Sequence, residues 1–180
     1  MARAIMTPVE LTTPRLRLRP FTAADRERIH AVYADPEVMR FVGNGPHRTM
    51  AETVAALRVY GDVLERRGYS FVAVTERAGG ALVGDGGLHP LAGRGPEVEL
   101  GYTLARSAWG RGYATELGQA LVEYAFTVLH VPRVVAQVEP ANLASRNVLK
   151  KLGMTERGPR TAYGRPHLLY AVDVEEVSVV

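Results

Sequence analysis

The period of apolar and polar positions changes several times along the chain, and each change marks an element. Leu16 and Leu18 alternate with Arg17 and Arg19, so residues 16–20 read as a strand. Thr22, with Asp25 as a weak capping-box partner, opens a helix whose apolar face uses Ile29, Val32 and Tyr33. Asp35-Pro36 interrupts it, a short turn carries Val38, Met39 and Phe41, and residues 43–46 form a loop. Thr49 and Glu52 have capping-box spacing and predict a helix over about 50–67. Val54, Leu57, Tyr60, Val63 and Leu64 recur there at helical spacing, and Gly68 stands where a left-handed cap belongs. The period then returns to two. Residues 69–75 and 81–88 read as a hairpin around Gly79-Gly80, and residues 97–105 as a third strand in series.

The second half alternates. A helix over about 114–128 sets Leu117, Leu121, Tyr124, Ala125 and Val128 on one stripe. Pro132 precedes a buried-looking strand, Arg133–Val138, and a helix over about 142–152 ends at Gly153. Two strands, near 154–160 and 168–174, complete the pattern. This order predicts an α+β fold with one mixed central sheet of about seven strands and about four helices. No linker or repeat divides the sequence, so a single domain over 1–180, with its core at about 11–174, is expected.

Composition narrows the chemistry. Hydrophobic residues at 47% and charged residues at 23% are ordinary for a globular protein. The absence of cysteine excludes disulfides, thiolate zinc sites and a cysteine nucleophile, and fits a reducing compartment. Arg3 is not followed by a signal-type apolar region, and no apolar run approaches a membrane span, so a cytoplasmic protein is expected. The net charge is +3, and all but two of the 22 basic residues (Lys150 and Lys151) are arginines. They are scattered, which suits an anionic ligand and does not mark a nucleic-acid partner. The groups at Arg15, Arg17 and Arg19 and at Arg66 and Arg67 read as solvated faces. The histidines, His30, His47, His89, His130 and His167, form no ligand-spaced pair, so no metal is expected. A Gly-x-Ser-x-Gly elbow is also absent.

The segment 97–115 carries the most chemistry: a strand, then RSAWGRGYAT opening directly into a helix. Gly110 and Gly112 allow backbone to approach a ligand, and the helix start offers free N–H groups and partial positive charge. Together these make a phosphate or pyrophosphate site, although Gly-x-Gly before a helix is also common without one. It is neither a Walker A loop nor a dinucleotide fingerprint, since the Gly-Lys-Ser/Thr and the third glycine are missing.

The segments LTTPRLRLRPF, DPEVMRFVG, GGLHP, EVELGYTL, WGRGYATEL and VEPANLASRNVLKKLGM, in that order, resemble the GNAT acyl-CoA N-acyltransferases, particularly their RimJ/RimL-like branch. The resemblance runs from about Leu11 to Asp173. It implies a GNAT-like sheet with a splayed strand pair holding CoA, and acetyl-CoA as co-substrate. Trp109, Gly112 and Ala114 fall on the marked positions of the family's pyrophosphate loop, with Trp109 departing from its usual Gln/Arg. The loop as a whole (Trp109, Gly110, Arg111, Gly112, Tyr113, Ala114 and Thr115) would hold the phosphates, Arg111 by a charge-assisted contact. The backbone of Tyr102, Thr103 and Leu104 would pair with pantetheine, and an N–H there would face the thioester oxygen. The Tyr102 side chain reads as a core-edge aromatic without a chemical role.

Acyl transfer needs a neutral amine, and an alkyl ammonium has a pKa of about 10. Period two sets Glu97, Glu99 and Gly101 on one strand face and Val98, Leu100 and Tyr102 on the other. By the resemblance Glu99 is the candidate base, directly or through water. The alternative is a solvent-facing or structural carboxylate; Asp173 and His89 are lesser candidates. Many relatives protonate the thiolate with a tyrosine on the helix after strand Arg133–Val138, but that helix has none. Ser145 stands where RimJ/RimL-like members present a serine to the sulfur; otherwise it solvates the helix. Asn142 matches a pantetheine contact and is also a good helix N-cap. Tyr113 and Tyr163 remain possible acids. The acceptor implied is an amine: a protein N-terminus, including that of a ribosomal protein, or a small amine held by the first two helices and the loops near 43–47 and 163–167. A CoA-binding sensor without turnover and a succinyl-CoA-dependent enzyme are the alternatives, and both a monomer and a homodimer fit.

Overall fold

Leu16 and Leu18 are wholly buried while Arg17 faces out, and this alternation makes the second strand of a single eight-stranded sheet. In the computed structural model, residues 10–176 other than 94 are described. The strands are β1 (Leu11–Thr12), β2 (Leu16–Arg19), β3 (Phe71–Glu76), β4 (Leu82–Pro90), β5 (Val98–Leu104), β6 (Arg133–Val138), β7 (Thr155–Ala162) and β8 (Arg165–Asp173). The helices are α1 (Arg26–Tyr33), α2 (Met50–Arg67), α3 (Tyr113–Thr127) and α4 (Leu143–Lys151). The sheet order is β1-β2-β3-β4-β5-β6-β8-β7. Every neighbouring pair is antiparallel except β5 and β6, which run parallel.

The periodic segments account for seven strands and four helices; the eighth strand, β1, has two residues and is too short to show a period. The α2 capping box forms as its spacing predicts: the Glu52 N–H donates to Thr49 Oγ1 at 3.3 Å and the Thr49 N–H to Glu52 Oε2 at 2.9 Å. At α1 the Thr22 N–H donates to Asp25 Oδ2, and Asp25 is also held by Arg19 at 2.7 Å. The last hairpin is tighter than the pattern suggests. Tyr163 and Gly164 form its turn, both at positive φ (51° and 69°), which places Arg165 and His167 within a strand.

Helices cover both faces. Leu117 of α3 packs over Gly86 of β4, on the face that carries Tyr102. Tyr60 of α2 meets Phe71, whose ring lies against Gly101 on the opposite face. The main core joins Leu16, Val72, Leu88, Val98, Val134 and Tyr170 of the sheet to Leu117 and Leu121 of α3. A smaller cluster, Ile29, Val32, Tyr33, Val38 and Met39, seats α1. No described helix is long and apolar enough to cross a membrane.

One irregularity positions the site. Strands β5 and β6 pair only at Val98 with Val134 and Glu99 with Val135. Beyond that point they diverge, leaving the backbone of Leu100–Leu104 and Ala136–Val138 facing a gap in the sheet.

Candidate active site

The loop between β5 and α3 closes one end of this gap. Gly110 and Gly112 take φ of 70° and 78°, conformations that L side chains rarely adopt. They turn the chain so that α3 begins at Tyr113 with its first-turn N–H groups pointing out of the helix end. Trp109, half exposed, donates its indole N–H to the Leu104 carbonyl at 2.8 Å.

The far side of the loop is tied down by groups distant in sequence. Arg15 donates to the Arg111 carbonyl at 2.8 Å and to Glu116 Oε2 at 2.6 Å. The Tyr113 ring lies between the Arg15 and Arg111 guanidinium groups, and its hydroxyl donates to Glu76 at 2.8 Å. That bond and the Arg111 contact hold the Glu76 carboxyl below its usual range, burial opposing them.

A cavity of about 530 Å³ follows the loop and the α3 end. Its lining includes Tyr102, Thr103, Leu104, Trp109, Gly110, Gly112, Tyr113, Ala114, Thr115, Asn142 and Ser145. Arg111, assigned to a phosphate by the resemblance, instead directs its guanidinium to Glu76 at 2.5 Å and is not part of the lining. Arg40 and Lys151 supply positive charge to this cavity; both fall within segments that carry the resemblance, but neither was assigned a role there. Glycine N–H groups, a helix start and two cations form a set that fits a pyrophosphate, and the unpaired edges of β5 and β6 fit an extended amide chain.

A second cavity, of about 360 Å³, opens on the α1 and α2 side. Phe41, Tyr60, Phe71 and His89 wall it, and Glu99, Gln137, Tyr163 and His167 also belong to its lining. The two cavities share Phe41, Val42, Tyr102, Thr103, Asn142 and Ser145, so they meet where β5 and β6 separate.

Glu99 faces this second cavity. Gln137, across the gap on β6, donates to its Oε1 at 3.0 Å. Burial pushes the Glu99 carboxyl above the usual carboxylate range, opposed by Gln137, Arg160 and His167. Ser145 sits in the first turn of α4, where its N–H donates to Asn142 Oδ1 at 3.1 Å, so Asn142 does cap this helix. The Tyr102 hydroxyl is buried beside Ser145 without a well-formed hydrogen bond. Burial raises its pKa and keeps it protonated. Its side chain therefore reaches the junction, which the period-two pattern could not reveal. Of the lesser candidates, Asp173 is bound by Arg133 at 2.5 Å and Arg157 at 3.1 Å. His89 stacks on Phe71, and burial lowers its pKa. Tyr163 is exposed at the hairpin tip. Among the described residues no group of three His, Asp or Glu side chains is placed to hold a metal ion.

A split parallel pair, a glycine loop at a helix start and paired cavities define a CoA-dependent acyltransferase fold. The comparisons with known proteins agree. Residues 15–155 match the acetyltransferase (GNAT) domain family. The chain is 30% identical over 149 residues to an uncharacterized N-acetyltransferase p20 of Bacillus licheniformis, covering 82% of this chain and 83% of that one. It is 31% identical over 154 residues to the FsC-acetyl coenzyme A-N(2)-transacetylase of Aspergillus fumigatus, covering 81% of this chain and 64% of that one. A GNAT-family acetyltransferase from Bacillus anthracis superposes with a TM-score of 0.81 at 24% identity, covering 93% of this chain and 99% of that one. The chain belongs to the GNAT acetyltransferase family. It is an acetyl-CoA-dependent acetyltransferase.

Proposed function

We propose that the protein transfers the acetyl group of acetyl-CoA to a primary amine by direct attack within a ternary complex. The observation that carries this reading is the meeting of the two cavities at Tyr102, Thr103, Asn142 and Ser145, with Glu99 on the acceptor side. Donor and acceptor entering from opposite faces reach one another through the gap without a covalent relay, and there is no cysteine to carry one.

In this reading Glu99 takes a proton from the acceptor ammonium, directly or through water, and the freed nitrogen lone pair attacks the thioester carbonyl carbon. A backbone N–H along residues 100–102 donates to the developing oxyanion, an interaction worth about 3–4 kcal/mol in acyl transfer. The C–S bond then breaks. The nitrogen's second proton passes to the leaving sulfur by way of the Ser145 hydroxyl, with the Tyr102 hydroxyl beside it, and Glu99 gives its proton up to solvent. The backbone of Tyr102–Leu104 pairs with pantetheine, Asn142 contacts it, and the loop 109–115 holds the phosphates.

The N(2)-transacetylase activity named for the Aspergillus relative supports a nitrogen acceptor. Trp109 in the loop keeps the RimJ/RimL-like reading, and with it a ribosomal protein N-terminus as one acceptor class. A CoA-binding sensor is disfavoured by the presence of Glu99 and Ser145 at the junction. We place the reaction in the cytoplasm, in a single domain, on the lack of cysteine and the continuous pattern.

Calorimetric titration with acetyl-CoA tests the donor site. Micromolar binding is expected, with a melting shift of about 5–10 °C when ligand at about 100 Kd adds roughly 2.7 kcal/mol. Gly112→Trp, which sets a large side chain at a φ of 78° on the phosphate path, should abolish binding. Binding that survives this change, or no binding by the unaltered protein, refutes the reading.

A further inference from the structure

The acceptor cavity holds a second carboxylate, Asp85, which the transfer reaction leaves unused. Its residue is 3% exposed, and its Oδ1 has no hydrogen-bond partner. Burial pushes its carboxyl up to about 7, although Thr103 and Tyr33 oppose the shift. The Tyr33 hydroxyl beside it is also buried without a well-formed hydrogen bond. Each such orphan costs about 1–3 kcal/mol, so the persistence of the pair at a cavity wall points to a polar group supplied from outside.

Register fixes where this group lies. Asp85 of β4 stands opposite Thr103 of β5, and His89 stands opposite Glu99. The two carboxylates thus share one sheet face, separated by four residue steps of about 3.4 Å, or roughly 14 Å along the ladder. The gap in the sheet begins just past Glu99, so the point of acyl transfer falls between them. The wall joining them is aromatic: Tyr60 meets Phe71 edge-on with centroids 5.3 Å apart, and Phe71 stacks on His89 at 5.9 Å. Gly101 leaves room for that wall, since a Cβ there would come within 3.0 Å of the Phe71 ring. Aromatic faces between two acidic groups suit an alkyl chain bearing ammonium groups.

The rim also limits what can enter. Arg165, at the end of the β7–β8 turn, donates to the Gly43 carbonyl at 2.6 Å and pairs with Glu139 at 2.7 Å. The segment from Gly43 is itself pinned, because His47 donates its N–H to the Tyr33 carbonyl at 2.8 Å and its ring bonds Thr53 at 2.9 Å. The bridge ties the β7–β8 turn to the Gly43 edge of the cavity, and a tied edge there suits a compact amine better than a polypeptide.

We propose that the acceptor is a compact amine with a second basic nitrogen, which Asp85 holds while the reacting nitrogen lies at the sheet gap beside Glu99. This rests on the acetyltransferase reading and narrows its acceptor. Thiol release from acetyl-CoA should be followed with diaminopentane, pentylamine and a short peptide beginning with alanine. The expected result is a kcat/KM for diaminopentane about 10- to 100-fold above that for pentylamine, the range of a charged hydrogen bond. Asp85→Asn should raise KM for diaminopentane by a similar factor and erase the preference. Equal use of the two amines by the unaltered protein, better use of the peptide, or no turnover of any of them overturns the proposal. An Asp85→Asn protein that folds and keeps the preference does so too. The comparison of amines on the unaltered protein needs no variant. Titration with acetyl-CoA in parallel separates the levels: a protein that binds it but shows no preference loses only this proposal, whereas one that does not bind it loses the acetyltransferase reading.

Discussion

Glu99 and Asp85 are the same kind of group in two different settings. Glu99 keeps one hydrogen bond from Gln137 and is raised mainly by burial; Asp85 is raised further and has an oxygen with no donor. A base must be ionised to act, so the rate should rise with pH through the elevated Glu99 pKa and level above it. Glu99→Gln should lower kcat by about 100-fold or more, flatten that rise and leave acetyl-CoA affinity nearly unchanged. Ser145→Ala, measured in the same single-turnover assay, should slow transfer less. Full activity of Glu99→Gln across the pH range would remove the base. The strand face of Glu99 was legible from period two, and its candidacy came from the resemblance carried by EVELGYTL beside the glycine loop. Asp85 was not: it falls within the strand read over 81–88, but Gly84, Gly86 and Gly87 around it carry no side chains whose alternation would mark its face. The signal was its alternation with His89, which puts both on the cavity face of β4.

At the scale of elements, the β5–α3 loop combines a local half and a distant half. Its glycines and helix start are properties of neighbouring residues, so sequence displays them directly. The Arg15 brace joins residues 101 positions apart, Arg15 and Glu116, and Arg15 looks like part of a solvated face with Arg17 and Arg19 until the fold brings it, alone of the three, under the loop. Arg111 shows the same difficulty in reverse, since a guanidinium beside a phosphate loop suggests a ligand contact while Glu76 engages it. Arg15 is about half exposed, so its ion pair alone contributes little. Its bond to the Arg111 carbonyl holds the loop's shape. Arg15→Gln is expected to weaken acetyl-CoA binding about fivefold, roughly 1 kcal/mol, with a small change in melting temperature. Calorimetry decides this, and an unchanged Kd would show that the loop is held without the brace.

At the scale of the molecule, the order of strands and helices was legible because most elements are long enough to show a period. The divergence of β5 from β6 was not, because both strands carry ordinary apolar patterns and only their pairing changes. Its consequence can be measured. Hydrogen exchange at residues 100–104 and 136–138 should slow when acetyl-CoA is added, while amides of β2 and β3 stay as they are. Equal protection in both states would mean that the donor lies elsewhere. The same divergence leaves the sheet as two halves joined by two residue pairs, with Glu99 on one half and Ser145, through α4, on the other. Such a joint sets an alignment tolerance. With a lever arm of roughly 10 Å, a tilt of about 5° moves one group past the other by about 0.9 Å, and a misplacement of about 1 Å can cost about 100-fold in rate. Val98 and Val134, fully buried at that joint, are therefore the fulcrum on which the registry of Glu99 with Ser145 depends.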